Sequence, residues 1–140
     1  MNNKAKALAE YLKVDEVYAD PSDKNYYKTK QNVLEPDFEA YMIYTDAEAT
    51  EAAMETIKDM PWFLPIGFLA DYAGLPDSVF STLEGREEKD AILALVELRG
   101  SFESFALTAI DTVGRGYLLS PMLDDREIEL ANGFYAYQVT

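Results

Sequence analysis

The residues in this 140-residue chain that can do chemistry are carboxylates. It contains no His and no Cys, which removes Ser-His-Asp and Cys-His catalysis, imidazole and thiolate metal sites, disulfides and the usual general base near neutral pH. What remains is 26 Asp and Glu against 12 Lys and Arg, a formal net charge of −14. Two groups stand out. Glu48, Glu51, Glu55 and Asp59 recur at spacings of three, four and four, which on a helix makes one row about 16 Å long. Asp124, Asp125, Glu127 and Glu129 form the tightest group along the chain. A glycosidase needs two carboxyls facing across a cleft. Nothing in the pattern marks one of the Asp124–Glu129 group as buried, and a turn leading into an exposed strand face is its expected setting. A calcium loop of the D-x-[DN]-x-[DN]-G type is absent. No catalytic, cofactor-binding or metal-ligating residue is assigned, and the chain is expected not to be an enzyme. Both carboxylate groups are instead candidate partner-binding residues.

The charge is uneven. Residues 1–30 carry six Lys and five acids, net +1, whereas residues 31–140 carry six basic and twenty-one acidic residues, net −15. A surface of that sign repels phosphate backbones, so direct nucleic-acid binding is not expected, and it attracts basic surfaces, including those that hold nucleic acid. Solubility is the simplest use of the same charge. With 49% hydrophobic and 13% aromatic residues the chain is too apolar for a disordered acidic tail. Its length suits a single domain over 1–140, with residues 1–37 as an N-terminal helix and irregular basic loop and 38–140 as the acidic body. No apolar run approaches the ~18–20 residues of a membrane span. The opening MNNKAKALAE lacks the apolar region of a signal peptide. A cytoplasmic location without membrane contact is therefore expected.

The elements that must position these residues are legible in outline. Ala5, Leu8, Ala9 and Leu12 repeat as an amphipathic helix does. Residues 15–37 read as irregular, with turn chemistry at Asp20-Pro21-Ser22-Asp23 and a break at Glu35-Pro36-Asp37. Between them the basic, aromatic segment Lys24–Lys30 has the means to stack a base and hold a phosphate. A loop packed against the acidic body is the expected reading. Phe38–Tyr44 is β-prone. Thr45 and Glu48 form a capping box, opening a helix to about Met60 with Ala49, Ala53, Ile57 and Met60 on its inner face.

Further along, a helix is predicted from about Pro65 to Ala73, stopped by Gly74, with Trp62, Phe63, Phe68 and Tyr72 in the core. Asp77 or Ser78 should cap a short helix through Leu83. Residues 86–99 predict a central helix covered on several sides, because Ala91–Leu98 is apolar nearly all round. Gly100 should end it and Ser101 cap the next, in which Phe102, Phe105, Ala106, Ala109, Ile110 and Val113 carry the strongest periodicity in the chain. Gly114 serves as a helix C-cap better than as part of a phosphate-binding loop. Tyr117–Leu119, Arg126–Leu130 and Phe134–Val139 read as strands, the last two joined by a type I′ turn at Asn132-Gly133. The expected fold is α+β: four to five helices packed on a small antiparallel sheet ending in a C-terminal β-hairpin.

Four stretches carry a family resemblance. Phe38–Ala49 resembles the "EYLVLTDEEAD" stretch of a family of small uncharacterised proteins from phages and other mobile elements, and Trp62–Leu69 resembles its tryptophan-led aromatic segment. Gly114–Ser120 resembles its "GRGHxLS" motif, with Tyr117 where the family has His, and Asn132–Val139 resembles its closing aromatic hairpin. The resemblance implies a mobile-element origin and a cytoplasmic site of action in the host, and supplies no activity. Small acidic phage proteins include inhibitors of host defence that look like DNA to their targets. The expected function is thus a non-enzymatic inhibitor, of the anti-CRISPR or other anti-defence kind, that occupies the basic nucleic-acid-binding groove of a CRISPR effector or restriction enzyme. The alternatives are a phage structural or assembly accessory forming a homo-oligomer and, third, a carboxylate-based enzyme.

Overall fold

The capping box at Thr45 marks where the chain passes from a sheet to helices. In the computed structural model, which describes residues 1–121 and 123–140, the Thr45 N–H donates to Glu48 Oε1 at 2.9 Å and the Glu48 N–H to Thr45 Oγ1 at 3.2 Å. Two orphan donors of the helix start are satisfied reciprocally. The fold is α+β and divides into two compact units, residues 1–50 with 115–140, and residues 51–114.

The first unit holds strands β1 (Tyr18–Asp20), β2 (Asp23–Lys28), β3 (Ala40–Thr45), β4 (Ile128–Glu129) and β5 (Phe134–Gln138). They form one antiparallel sheet in the order β1-β2-β3-β5-β4. Helix α1 (Asn3–Leu12) covers one face, contributing Ala5, Leu8 and Ala9 to a core with Tyr27, Tyr41, Ile43, Ile128 and Ala136. The register Met42↔Tyr137 and Ile43↔Ala136 sends alternate residues to opposite faces. Tyr44 and Tyr137 therefore meet on the other side, ring centroids 5.9 Å apart.

Residues 15–37 are not irregular throughout: β1 and β2 make a hairpin whose turn is Asp20–Asp23, with Asp20 accepting from the Ser22 N–H at 2.8 Å. The basic segment is largely a strand and not a loop. Its polarity hides the one residue that commits it, Tyr27, which is fully buried and donates its hydroxyl to the Lys24 carbonyl at 2.9 Å. Tyr117–Leu119 is not a strand but part of helix α7 (Arg115–Leu119), too short to show a helical period. Asn132 and Gly133 both take positive φ, 63° and 76°, but the hairpin connection has three residues, Ala131–Gly133, instead of two.

The second unit is helical. Helix α2 (Asp46–Asp59) starts in the first unit and continues into the second, followed by a 3₁₀ turn (Pro61–Phe63). Helices α3 (Ile66–Ala73), α4 (Asp77–Gly85), α5 (Lys89–Glu97) and α6 (Phe102–Val113) complete it. The described residues thus form seven α-helices against the four to five expected, counting the short α4 predicted through Leu83 and α7, which is too short to show a period.

The core of this unit holds Ala53, Ile57, Leu64, Leu69, Phe80, Ile92, Val96, Phe105 and Ala109. Trp62, Phe63, Phe68 and Tyr72 are half-buried, not core, and Met60 is exposed. Pro76, not Asp77 or Ser78, stands at the start of α4. Helix α5 buries only the Ile92 and Val96 stripe and leaves Leu98 79% exposed, so it lies at the surface despite its apolar sequence. Ser101 caps α6 as expected, accepting from the Ser104 N–H. No helix among the described residues is long and apolar enough to cross a membrane.

Candidate functional site

The densest polar constellation lies in the first unit, around Arg115. Gly114, at φ 86°, ends α6, and the chain starts α7 at once. The Arg115 side chain is only 12% exposed. Its Nε donates to Glu127 Oε1 at 2.7 Å, and its Nη1 to the Asp46 carbonyl and Asp46 Oδ1, both at 2.9 Å, and to Thr50 Oγ1 at 3.1 Å. The guanidinium lies 4.7 Å from the centre of the Tyr135 ring, within cation–π range. The Tyr137 hydroxyl donates to the same Glu127 oxygen. Burial, reinforced by Glu127, pushes the Tyr137 pKa up. Burial opposes the charge on Arg115, but the hydrogen bond to Glu127, the nearby Tyr137 and the hydrogen bond to Asp46 outweigh it and raise its pKa. This set holds three chain segments together.

Gly116 and Ser120, which follow Arg115, are equally committed. A Cβ on Gly116 would lie 2.0 Å from the Asp125 carbonyl oxygen and 3.0 Å from the Glu127 nitrogen, so only glycine admits the strand-ward backbone that carries Glu127. Ser120 is buried and donates to the Gln138 carbonyl at 2.7 Å, while its own carbonyl accepts from Leu123 and Asp125. The segments that carry Asp46 and Arg115 therefore meet. The pairing spans 69 positions, and the sequence offered no signal for it beyond an Arg between two glycines.

Arg115→Lys is expected to destabilise the protein by about 1–3 kcal/mol, measured by urea unfolding. A lysine has no planar fork to serve Glu127 and Asp46 together. The partly exposed carboxylates regain water, which keeps the loss below that of a fully buried pair.

Each sequence-defined carboxylate group divides. Glu48 belongs to the first unit and binds Lys4 Nζ at 2.8 Å as well as the Thr45 N–H. Lys4, then that N–H, holds its pKa below the usual carboxylate value. Glu127 is held by Arg115. Glu51, Glu55 and Asp59 on α2 are exposed, as are Asp124, Asp125 and Glu129. Asp124 and Asp125 sit at positive φ, 67° and 52°, in the tight turn below Gly116.

The second unit carries twelve acids and four basic residues, net −8. Eleven of the twelve carboxylates are exposed. Among the described residues the three ion pairs all lie in the first unit. The eleven exposed acids of the second unit face solvent with no ion pair among the described residues. No protein-family model, curated protein or solved structure matches the chain.

The twelfth acid, Glu84 on α4, differs. Its Oε2 is buried without a hydrogen-bond partner, and burial pushes its pKa up from 4.5 to about 7. A carboxyl whose folded pKa is raised contributes stability that is complete below about 4.5 and is lost as pH rises through about 7. Glu84→Gln should therefore melt increasingly above the wild type across that interval. A melting-temperature difference that stays flat from acid to neutral pH would show that Glu84 is not desolvated.

Proposed function

We propose that this chain is a non-enzymatic acidic protein of a phage or mobile element that inhibits a host defence nuclease complex by occupying a basic, nucleic-acid-binding surface. The observation that carries the reading is the second unit's set of eleven exposed carboxylates, none ion-paired among the described residues. Among the described residues ion pairing is confined to the first unit, so this charge is left for solvent or for a partner. On α2, Glu51, Glu55 and Asp59 span about 12 Å at 1.5 Å per residue. Duplex DNA presents one charge per ~1.7 Å of axis. The helix thus offers a sparse copy of part of one strand, and the remaining acids of the unit supply the rest of the field.

A tagged protein should capture its target from nuclease-treated host lysate at low salt and release it at high salt. Exposed charge contacts are screened over ~8–10 Å near physiological ionic strength. Mass spectrometry identifies what is captured. Capture that survives high salt undiminished would speak against a charge-led interaction.

A further inference from the structure

Beside its carboxylates the second unit has an open groove of about 620 Å³ between α3 and α6. Phe68, Asp71 and Tyr72 line it from α3, and Thr108, Thr112 and Val113 from α6. Residues at i, i+3 and i+4 share one helix face, which is how α3 presents two rings and one carboxylate together. The rings rest on buried Phe105, whose centroid lies 5.9 Å from that of Phe68 and 5.0 Å, edge-on, from that of Tyr72. Phe68 and Tyr72 themselves are only half-buried, so part of each ring faces solvent.

The opposite wall gives up its polarity. Thr108 Oγ1 donates to the Ser104 carbonyl at 3.0 Å and Thr112 Oγ1 to the Thr108 carbonyl at 2.8 Å. Both hydroxyl donors are turned onto their own helix. Exposed Asp71 is the one charged group among the described residues lining the groove, and it has no ion pair there.

Charge decides the occupant. A second copy of this chain would set one net −8 unit against another, and an acidic peptide would meet Asp71 at the lip; both are opposed. A cation beside an apolar side chain suits the groove on every count: the apolar group covers the exposed ring edges, and the cation pairs with Asp71 or lies over Tyr72. We infer that the α3–α6 groove docks a basic amphipathic segment of a partner protein, seating an apolar residue on Phe68 and Tyr72 and a Lys or Arg against Asp71. This rests on the reading of the second unit as an acidic partner-binding surface and adds an anchor to it. Long-range charge speeds the encounter, and burial in the groove slows release.

Amide NMR spectra of the full chain, titrated with three synthetic peptides of equal length, test this. One alternates Lys and Leu with a helical period, one replaces each Lys by Glu, and one is oligolysine. The Lys-Leu peptide should shift the amides of Phe68, Tyr72, Thr108 and Thr112, and Asp71→Lys should weaken its binding about tenfold. Three results overturn the inference: equal binding of the Glu-Leu peptide in the groove, groove shifts that follow protein concentration alone, and an unmoved groove. Response of Glu51 and Glu55 to oligolysine with an unmoved groove removes the anchor and leaves the acidic-surface reading standing. Silence toward both basic peptides removes both.

Discussion

Gly116→Ala is expected to destabilise the first unit by about 3 kcal/mol or more, the upper end for forcing one carbon into a filled space. The new Cβ would sit 2.0 Å from the Asp125 carbonyl oxygen and 2.7 Å from its carbon, and both are backbone atoms that cannot rotate away. Relief requires moving the 125–127 segment, which carries Glu127 away from Arg115 and Tyr137. The loss therefore combines a steric term with part of the Arg115 knot. Gly67→Ala is the matched control. Gly67 lies in α3 with nothing within 4 Å of the added carbon, so alanine there should hold or raise stability by roughly 0.5–1 kcal/mol. Urea unfolding followed by circular dichroism reads both. A Gly116→Ala loss below about 1 kcal/mol would mean that the segments do not approach as described.

Reversing Glu51 and Glu55 to Lys is expected to cut target binding by about tenfold or more, roughly 1.4 kcal/mol, while leaving the fold intact. Both residues are exposed on α2 and have no ion pair among the described residues, and Lys is as good a helix former as Glu. Reversal turns the Glu48–Glu51 and Glu55–Asp59 neighbours into opposite-charge pairs worth a few tenths of a kcal/mol each, while positions 51 and 55 stay alike in charge. The melting temperature should hold or rise slightly. A stable variant that binds as tightly as wild type would eliminate this part of α2 as a contact surface. The exposed group Asp124, Asp125 and Glu129 would then become the next to reverse.

Local chemistry in the sequence was readable and long-range pairing was not. The Thr45–Glu48 box, Ser101 at the start of α6, Gly74 and Gly114 at helix ends, and the Phe102–Val113 stripe each depend on residues within one or two turns, and each occurs. Strand β2 (Asp23–Lys28) is obscure in the sequence because only Tyr27 among its residues is fully buried. Tyr117–Leu119 reads as a strand in the sequence because the five-residue helix Arg115–Leu119 carries no period.

The candidate site was half legible for the same reason. Spacing placed Glu48 on the α2 row, but its neutralisation by Lys4 joins positions 44 apart. Glu127 looked like one of four turn carboxylates until Arg115, twelve positions earlier, engaged it. The free acids were found by type and spacing, and the engaged ones were separated from them only by the fold.

On the proposed function, the acidic second unit takes the place of a nucleic-acid phosphate backbone on its target. Competition measures this directly: the complex of the captured target with the wild-type protein is challenged with a duplex oligonucleotide of increasing concentration at fixed low salt. The oligonucleotide should displace the protein completely, and the protein in turn should release prebound duplex from the target, as two ligands of one basic groove do. A ternary complex in which target, duplex and this protein are held together without loss of either would contradict it.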